Sequence, residues 1–370
     1  MNTPGMIVHE WIARSGGSEK VLESFARAFP EAPIACLWND TAAYPGRATE
    51  TWLGRSPFRR SKALALPLMP ATWRRLPRRN VDWMLVSSHL FAHHAKFRGL
   101  GVQPQKFVYV HTPARYIWNP ELDVRGQNRA VRALAPFLRN LDRSRAAEGA
   151  VFAANSNFVK RRINNAWAVD ATVIHPPVDV ARIQSVNDWT TQLGPDDEKI
   201  LEELPKEFLL GASRFVPYKA LDDVVRLGAI GRLPVVLAGS GPDLPRLKTV
   251  ASELGVRVSF VDRPSDQLLF TLYQRAHAYV FPAVEDFGIM PVEAMAAGAR
   301  VIANRQGGVA ESVVDGETGV LVDFRSTEEL TSALESLPNA ERTSSTLRAR
   351  AFDSSLFEEQ IRQWVGGSLG

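Results

Sequence analysis

Two glutamates and the glycine-containing segment between them have residue types that suit ligand binding. The stretch VEDFGIMPVEAMAAGA holds Glu285 and Glu293 with seven residues between them. It follows the apolar run AYVFPA, which predicts a buried strand, and Pro291 suits the first turn of a helix. We therefore expect Glu285 at the end of the strand and Glu293 in the first turn of the helix. The helix dipole alone explains Glu293 but not Glu285.

Two cations follow another apolar run, FLLGAS. Arg214 and Lys219 lie in SRFVPYKALDDVV, and Lys219 stands at the predicted start of a helix, where the dipole disfavours a cation. An anionic ligand explains this placement. An ion pair with Asp222 or Asp223 explains it equally well.

Two more candidates follow apolar runs in the N-terminal half. Gly16 and Gly17 precede a predicted helix, whose exposed amides and positive dipole end suit a phosphate group. An ordinary tight loop is the alternative, because the sequence is neither GxGxxG nor a P-loop. His111 ends the run KFVYVH and either faces a ligand or is a structural histidine.

Three histidines, His89, His93 and His94, lie close together, but HLFAH lacks the acidic residue of the zinc motif HExxH. No Asp-x-Asp pair follows a predicted strand. We therefore predict no metal site.

All the candidates follow apolar runs that alternate with helix-like segments, which predicts parallel α/β sheets. A chain of 370 residues is too long for one compact core. We predict two Rossmann-like, doubly wound domains, over residues 1–180 and 205–350, with a C-terminal helix in 351–370 that can cross back to the first domain. The polar stretch near 180–206 predicts a linker and a short helix. Because ligands bind beyond the carboxyl ends of parallel strands, we expect an interdomain cleft lined by the candidates.

The composition is that of a globular protein, with 45% apolar and 23% charged residues. Cys36 is the only cysteine, so no intrachain disulfide can form and a reducing compartment is expected. No signal peptide or membrane-spanning segment is evident. We expect a cytoplasmic protein, peripheral on the inner face of the cell membrane.

The net charge of +4 is unevenly spread. Residues 51–81 hold eight basic residues and no acidic one, interleaved with the apolar run LALPLMPATW. This composition favours contact with an anionic membrane surface. A solvated basic face over a buried helix is the alternative. Nucleic acid is not expected, because no nucleic-acid motif accompanies the charge.

Taken together, these motifs resemble the retaining glycosyltransferases of family 4, which have the GT-B fold, and the resemblance covers nearly the whole chain. Its signatures are E-x7-E, here Glu285 to Glu293, and R-x4-K, here Arg214 to Lys219. The N-terminal motifs HEWIARSGGSEKVLE, LVSSH and YVHTPARYIW resemble a bacterial subgroup that builds O-antigen and exopolysaccharide, many of whose members are mannosyltransferases. Further matches are Gly239-Ser240-Gly241 and Gly307-Gly308 followed by Glu311.

The resemblance implies a role for each residue in the E-x7-E segment. Glu293 would hold the ribose hydroxyls of a nucleotide, and Glu285 would accept hydrogen bonds from the donor sugar. The backbone of the turn and helix start would contact sugar and phosphate, which includes Phe287, Gly288, Ile289 and Met290.

It also implies that Arg214 and Lys219 bind the diphosphate, together with the amides of Gly16 and Gly17. His111 would lie beside the sugar at the reaction centre. Gly239 and Arg263 would complete the donor site, with Arg263 near the nucleotide base. Asp262, immediately before it, stands where the family usually has glycine.

The resemblance thus implies a metal-independent, retaining glycosyltransferase without a cofactor. It would move a hexose, mannose from GDP-mannose, to a polyprenyl-diphosphate-linked saccharide in cell-surface polysaccharide synthesis. A UDP-sugar-dependent enzyme of the same fold is one alternative, and a nucleotide-sugar epimerase is a weaker one. A basic membrane- or nucleic-acid-binding module with a degenerate site is the alternative of another class.

Overall fold

The computed structural model describes residues 3–14, 16–119, 129–337 and 342–367. The chain divides into two compact units: unit 1 is Met1–Pro177 with Ser354–Gly370, and unit 2 is Val178–Asp353. Each contains one parallel sheet, of seven strands in unit 1 and six in unit 2. The prediction of two Rossmann-like, doubly wound domains is confirmed.

Unit 1 has a sheet in the order β3-β2-β1-β4-β5-β6-β7. Its strands are β1 (Gly5–His9), β2 (Ile34–Cys36), β3 (Ala48–Glu50), β4 (Trp83–Ser88), β5 (Gln105–Val110), β6 (Val151–Ala154) and β7 (Thr172–Val173). Its helices are α1 (Gly17–Ala28), α2 (Lys62–Ala65), α3 (Met69–Trp73), α4 (Arg115–Trp118), α5 (Arg129–Ala146) and α6 (Asn157–Trp167). The central strands β1 and β4 are buried along their whole length, because helices cover both faces of a doubly wound sheet.

Unit 2 continues the numbering in chain order, with the sheet order β10-β9-β8-β11-β12-β13. Its strands are β8 (Leu209–Ala212), β9 (Val235–Ala238), β10 (Val258–Val261), β11 (Ala278–Phe281), β12 (Val301–Asn304) and β13 (Gly319–Val322). Its helices are α7 (Val180–Gln184), α8 (Pro195–Glu203), α9 (Leu221–Gly231), α10 (Leu244–Glu253), α11 (Asp266–Arg275), α12 (Ile289–Ala296), α13 (Thr327–Ser336) and α14 (Arg342–Ala349).

The segment near residues 180–206 was predicted as a linker and a short helix. The short helix is present as α8, but the linker prediction is wrong, because the segment is a packed part of unit 2. Val180, Ile183 and Trp189 are buried in the hydrophobic core of unit 2. The Trp189 indole lies 4.9 Å from the Phe270 ring and donates a hydrogen bond of 3.0 Å to the Ile183 carbonyl. A few buried apolar residues anchor this polar stretch, and its average polarity hides them.

The last helix, α15 (Ser354–Gly367), belongs to unit 1 although it follows unit 2 in the chain. Phe357, Ile361 and Val365 are buried in the unit 1 core. The Phe357 ring stacks on Phe25 of α1 at 5.9 Å, and Arg27 forms a salt bridge of 2.6 Å with Glu358. Among the described residues, no helix combines the length and the hydrophobicity needed to cross a membrane.

Candidate functional site

Three neighbouring strands of unit 2 bring most of the candidates to one edge of its sheet. Arg214 and Lys219 follow β8, Gly239 follows β9, and Glu285 follows β11. The strands pair in parallel in the order β9-β8-β11. Because the carboxyl ends of parallel strands lie at the same edge, these four residues lie on adjacent loops.

Lys219 and Glu285 form an ion pair between the β8 and β11 loops. Their side chains are only 11% and 18% exposed, so the pair is largely shielded from water. The two aspartates considered as alternative partners are engaged elsewhere: Asp222 pairs with Arg246 at 3.1 Å and Asp223 pairs with Arg226 at 2.7 Å.

Arg214 is exposed and its guanidinium donates a hydrogen bond of 2.8 Å to the Tyr218 hydroxyl. The backbone beside it packs closely against the loop that follows β9. A Cβ added at Gly239 would lie 1.9 Å from the Ser213 carbonyl, and one at Gly241 would lie 2.3 Å from the Phe215 carbonyl. Both glycines are therefore needed for this backbone contact.

The Glu285 turn is held by the glycine pair that follows β12. The Gly308 amide donates a hydrogen bond of 2.8 Å to the Glu285 carbonyl. A Cβ at Gly308 would meet the Asp286 carbonyl at 2.2 Å. Phe287 is buried and its ring lies 5.5 Å from Phe352, so this side chain anchors the turn and only its backbone is available for a ligand.

Glu293 is 8% exposed and lies in the second turn of α12, so its predicted place in the first turn is wrong. The helix begins at Ile289, two residues before Pro291, because Gly288 takes a left-handed conformation (φ 89°) at its N-cap. Met290 is half-buried in the first turn. Burial raises the pKa of Tyr279, and the charges of Glu285 and Glu293 raise it further, so both carboxylates lie within electrostatic range of one phenol.

Arg263 follows the edge strand β10 and lies apart from the Lys219–Glu285 pair in the sheet order. Its side chain is 79% exposed and lies 3.3 Å from the Asp262 carboxylate. Its backbone φ of 41° is in the left-handed region.

In unit 1, His111 follows β5 and is half-buried. Its Nε2 lies 2.8 Å from the hydroxyl of Ser87, a fully buried residue of β4. The Asn155 amide donates a hydrogen bond of 3.1 Å to the His111 carbonyl. The Ser87 contact orients the imidazole, and the Asn155 contact holds the His111 backbone at the carboxyl edge of the unit 1 sheet.

Gly16 and Gly17 lie at the N-terminus of α1, where the Glu19 carboxylate also lies. One Glu19 oxygen accepts hydrogen bonds from the Ala13 amide at 3.3 Å, and the other accepts one from the Ser18 hydroxyl at 2.8 Å. A Cβ at Gly16 would lie 2.3 Å from this carboxylate. An anion bound at these amides would therefore lie beside the Glu19 carboxylate.

Sequence reasoning assigned no role to two buried ionisable residues at the end of β1. The Glu10 carboxylate accepts hydrogen bonds from the Leu90 and Ala92 amides, at 3.0 and 2.6 Å, and burial raises its pKa to about 7. His9 is fully buried, and burial, followed by the charge of His111, lowers its pKa to about 3. Both residues lie in the quoted motif HEWIARSGG, so the histidine-glutamate pair at a strand end was the available signal.

Two of the histidines considered for zinc, His93 and His94, lie close to a buried carboxylate. His93 and His94 lie 3.1 and 3.0 Å from one oxygen of the buried Asp142 carboxylate. The other oxygen accepts hydrogen bonds of 2.7 Å from the indoles of Trp118 and Trp167. The three metal-capable side chains are thus close enough to share an ion. Hydrogen bonds from His94 and the two indoles, with His93 3.1 Å away, compensate the burial of the carboxylate.

The chain has been compared with known proteins. Residues 195–353 match the family model described as glycosyl transferases group 1. A GDP-mannose-dependent alpha-(1-6)-phosphatidylinositol monomannoside mannosyltransferase of Mycolicibacterium smegmatis is 29% identical over 217 residues, which are 55% of this chain and 56% of that protein. A D-inositol 3-phosphate glycosyltransferase of Rhodococcus jostii is 37% identical over 153 residues, 37% of this chain and 34% of that protein. The chain spans about half or less of the length of these curated relatives.

Solved structures match along nearly the whole chain at low identity. HepE of Anabaena, solved with UDP and glucose, has a TM-score of 0.70 at 16% identity and covers 98% of this chain and 100% of its own. A sucrose-phosphate synthase of Thermosynechococcus elongatus has a TM-score of 0.73 at 16% identity and covers 99% of both chains. The chain therefore has the GT-B fold, and its residues 195–353 match the group 1 glycosyl transferases.

Proposed function

We propose that the protein is a retaining, metal-independent glycosyltransferase that uses a nucleotide-diphosphate sugar as donor. The family match of residues 195–353 supports glycosyl transfer. The observation that carries the proposal is the Lys219–Glu285 ion pair, because it places a cation suited to phosphate beside a carboxylate suited to sugar hydroxyls at one sheet edge.

Lys219 and Arg214 are assigned to the leaving diphosphate. As the bond between the anomeric carbon and the phosphate oxygen breaks, negative charge grows on that oxygen. Fixed cations can stabilise this charge, as a metal ion does in other enzymes. Glu285 holds the Lys219 ammonium in place before the donor binds, so little reorganisation is required during the reaction.

The two glutamates are assigned to the hydroxyl groups of the donor. A carboxylate accepts several hydrogen bonds, and each bond to a charged acceptor contributes about 1.5–3 kcal/mol. Glu285 is assigned to the sugar and the more deeply buried Glu293 to the ribose. The backbone amides of Phe287, Gly288 and Ile289 would complete the contacts to sugar and phosphate.

The remaining donor contacts are proposed from the family resemblance. They are His111 beside the sugar, the amides of Gly16 and Gly17 and the loop at Gly239 for the diphosphate, and Arg263 near the base. Retention of configuration is consistent with a front-face reaction. The acceptor oxygen bonds to the anomeric carbon on the side from which the diphosphate departs, and the departing phosphate oxygen takes the acceptor's proton.

For the donor and acceptor we propose mannose from GDP-mannose and a polyprenyl-diphosphate-linked saccharide. The donor named for the relative of Mycolicibacterium smegmatis supports GDP-mannose. HepE, solved with UDP-glucose, favours the UDP-sugar alternative. A lipid-linked acceptor fits a peripheral membrane position, and in residues 51–81 the apolar residues Trp52, Phe58 and Leu64 are exposed beside the basic ones.

The test is turnover with a panel of nucleotide sugars in the presence of a chelator. Release of free nucleotide diphosphate from one donor, with a lipid extract as acceptor, is the expected result. GDP-mannose and UDP-glucose distinguish the two donors. If none of the panel binds or turns over, the proposal is wrong.

A further inference from the structure

A basic cavity lies in unit 1, outside the residues assigned to donor binding. Its volume is about 660 Å³, and it is lined by Arg74, Arg75, Lys96, Phe97, Arg98, Gly99 and Leu100. It combines the end of the basic segment 51–81 with a second segment, 96–100, that sequence reasoning did not associate with it.

Backbone pairing holds the two segments together. Leu76 pairs in parallel with Phe97, and its amide and carbonyl bond to Lys96 and Arg98 at 3.1 and 3.0 Å. The Gln103 side chain then closes the loop, accepting from the Phe97 amide at 2.8 Å and donating to the Leu100 carbonyl at 2.9 Å. Hydrogen bonds therefore hold in place the backbone that carries these cations.

Most of the positive charge in the cavity is uncompensated. Arg74 is paired with Glu148 at 2.5 Å. For Arg75, Lys96 and Arg98, the described part of the chain contains no carboxylate within ion-pairing distance. The pKa of the neighbouring Lys106 is lowered to about 8, mainly by burial. The charge of Glu148 raises this pKa, and the charges of Arg74 and Lys96 lower it further.

Apolar residues follow the cations of the second segment closely in the chain. Val102, four residues after Arg98, is 85% exposed, and Leu100, which lines the cavity, is half-buried. Cations next to apolar groups are what the interface of an anionic bilayer accommodates.

We infer that this cavity holds the phosphate group of an anionic phospholipid, with Leu100 and Val102 against the bilayer surface. The inference deepens the proposed membrane contact of residues 51–81 by giving it a defined headgroup site. It does not depend on glycosyl transfer. The cavity precedes β5, whereas His111 follows that strand, about 16 Å from Lys106 at the usual rise per residue.

The test is sedimentation of the full chain with vesicles of phosphatidylcholine, with and without phosphatidylglycerol. The triple variant Arg75→Ser, Lys96→Ser, Arg98→Ser should bind the anionic vesicles roughly 100-fold more weakly, since each basic residue near the surface contributes about a factor of five. A control variant, Lys199→Ser, Arg257→Ser, Arg275→Ser, removes the same charge from exposed positions of unit 2 and should bind as the wild type does. Val102→Ser should weaken binding several-fold without altering charge.

Equal loss in the triple variant and its control would overturn the proposal, because net charge alone would then explain binding. So would tight binding of inorganic phosphate or glycerol phosphate without vesicle binding, which would make the ligand a soluble anion. Thermal denaturation of each variant verifies folding. Since vesicle binding requires no sugar donor, this test can fail while glycosyl transfer stands, and the reverse also holds.

Discussion

The Lys219 ammonium and the Glu285 carboxylate form an ion pair although 66 positions separate them in the chain. Lys219 ends a short turn after β8 and Glu285 lies just beyond the adjacent β11. The pairing places one cation and one carboxylate side by side, and we propose that a ligand carrying both phosphate and hydroxyl groups binds there.

Replacing Glu285 with Gln is expected to lower kcat by roughly 10²–10³, because a preorganised charged contact at the reacting sugar is lost. The free energy of unfolding should fall by only about 1–2 kcal/mol, since a neutral amide can still accept from Lys219. Steady-state kinetics and denaturant unfolding measure the two effects. Glu203→Gln, on the exposed surface of α8, is the control. Unchanged kcat in Glu285→Gln would refute the sugar contact.

A double-mutant cycle separates structure from catalysis at this pair. Lys219→Met leaves Glu285 without its partner, so adding Glu285→Gln should recover part of the lost stability. Activity should not recover, because the diphosphate still lacks its cation. Recovery of both quantities in the double variant would mean that Lys219 and Glu285 only stabilise the fold.

Gly308→Ala is expected to raise KM for the donor and to destabilise unit 2. The added methyl group would meet the Asp286 carbonyl at 2.2 Å and the Phe287 Cα at 2.5 Å, so the turn must shift. The matched control is Gly194→Ala, at a position where an added Cβ has no neighbour within 4 Å. A Gly308→Ala enzyme with wild-type KM would show that the position of the turn is unimportant for donor binding.

The burial of His9 leads to a prediction about how the stability of the protein changes in acid. Its folded-state pKa of about 3 lies below the unfolded value of 6.5, so below pH 6.5 the unfolded chain binds a proton that the folded chain does not. Its contribution to stability is present above pH 6.5 and declines toward pH 3. The variant His9→Leu should lose less stability than the wild type between pH 7 and pH 5, by about 2 kcal/mol. Parallel stability curves for the two proteins would contradict this account.

Trp189→Ala is expected to destabilise the protein by about 3–5 kcal/mol, because it removes a buried ring from the unit 2 core. Trp52, which is 53% exposed, is the control: Trp52→Ala should change the free energy of unfolding far less. Equal effects in thermal unfolding would indicate that residues 180–206 are the linker that their polarity first predicted.

The sequence predicted those elements that a short run of neighbouring residues is enough to identify. Buried parallel strands are continuous apolar runs, so WMLVSS and AYVFPA could be assigned directly, whereas the three-residue strands β2 and β3 are too short to form such a run. The same limit applied to the site residues: local patterns predicted their positions in the chain but not their partners. Lys219 could be placed after its strand from the sequence. That it pairs with Glu285 and not with the nearby Asp222 depends on the pairing of β8 with β11, which no local sequence pattern encodes.

The central claim is that fixed cations hold the donor's diphosphate without a metal ion. The most direct measurement is calorimetric titration of GDP and UDP, each with excess chelator, into the wild type, Arg214→Gln and the control Lys199→Gln. Arg214 has the Tyr218 hydroxyl as a side-chain partner, so its replacement should disturb the fold little. We predict that one nucleotide binds the wild type and the control equally and binds Arg214→Gln roughly 10- to 100-fold more weakly. Binding that disappears with the chelator, or equal affinity in all three proteins, would contradict the claim.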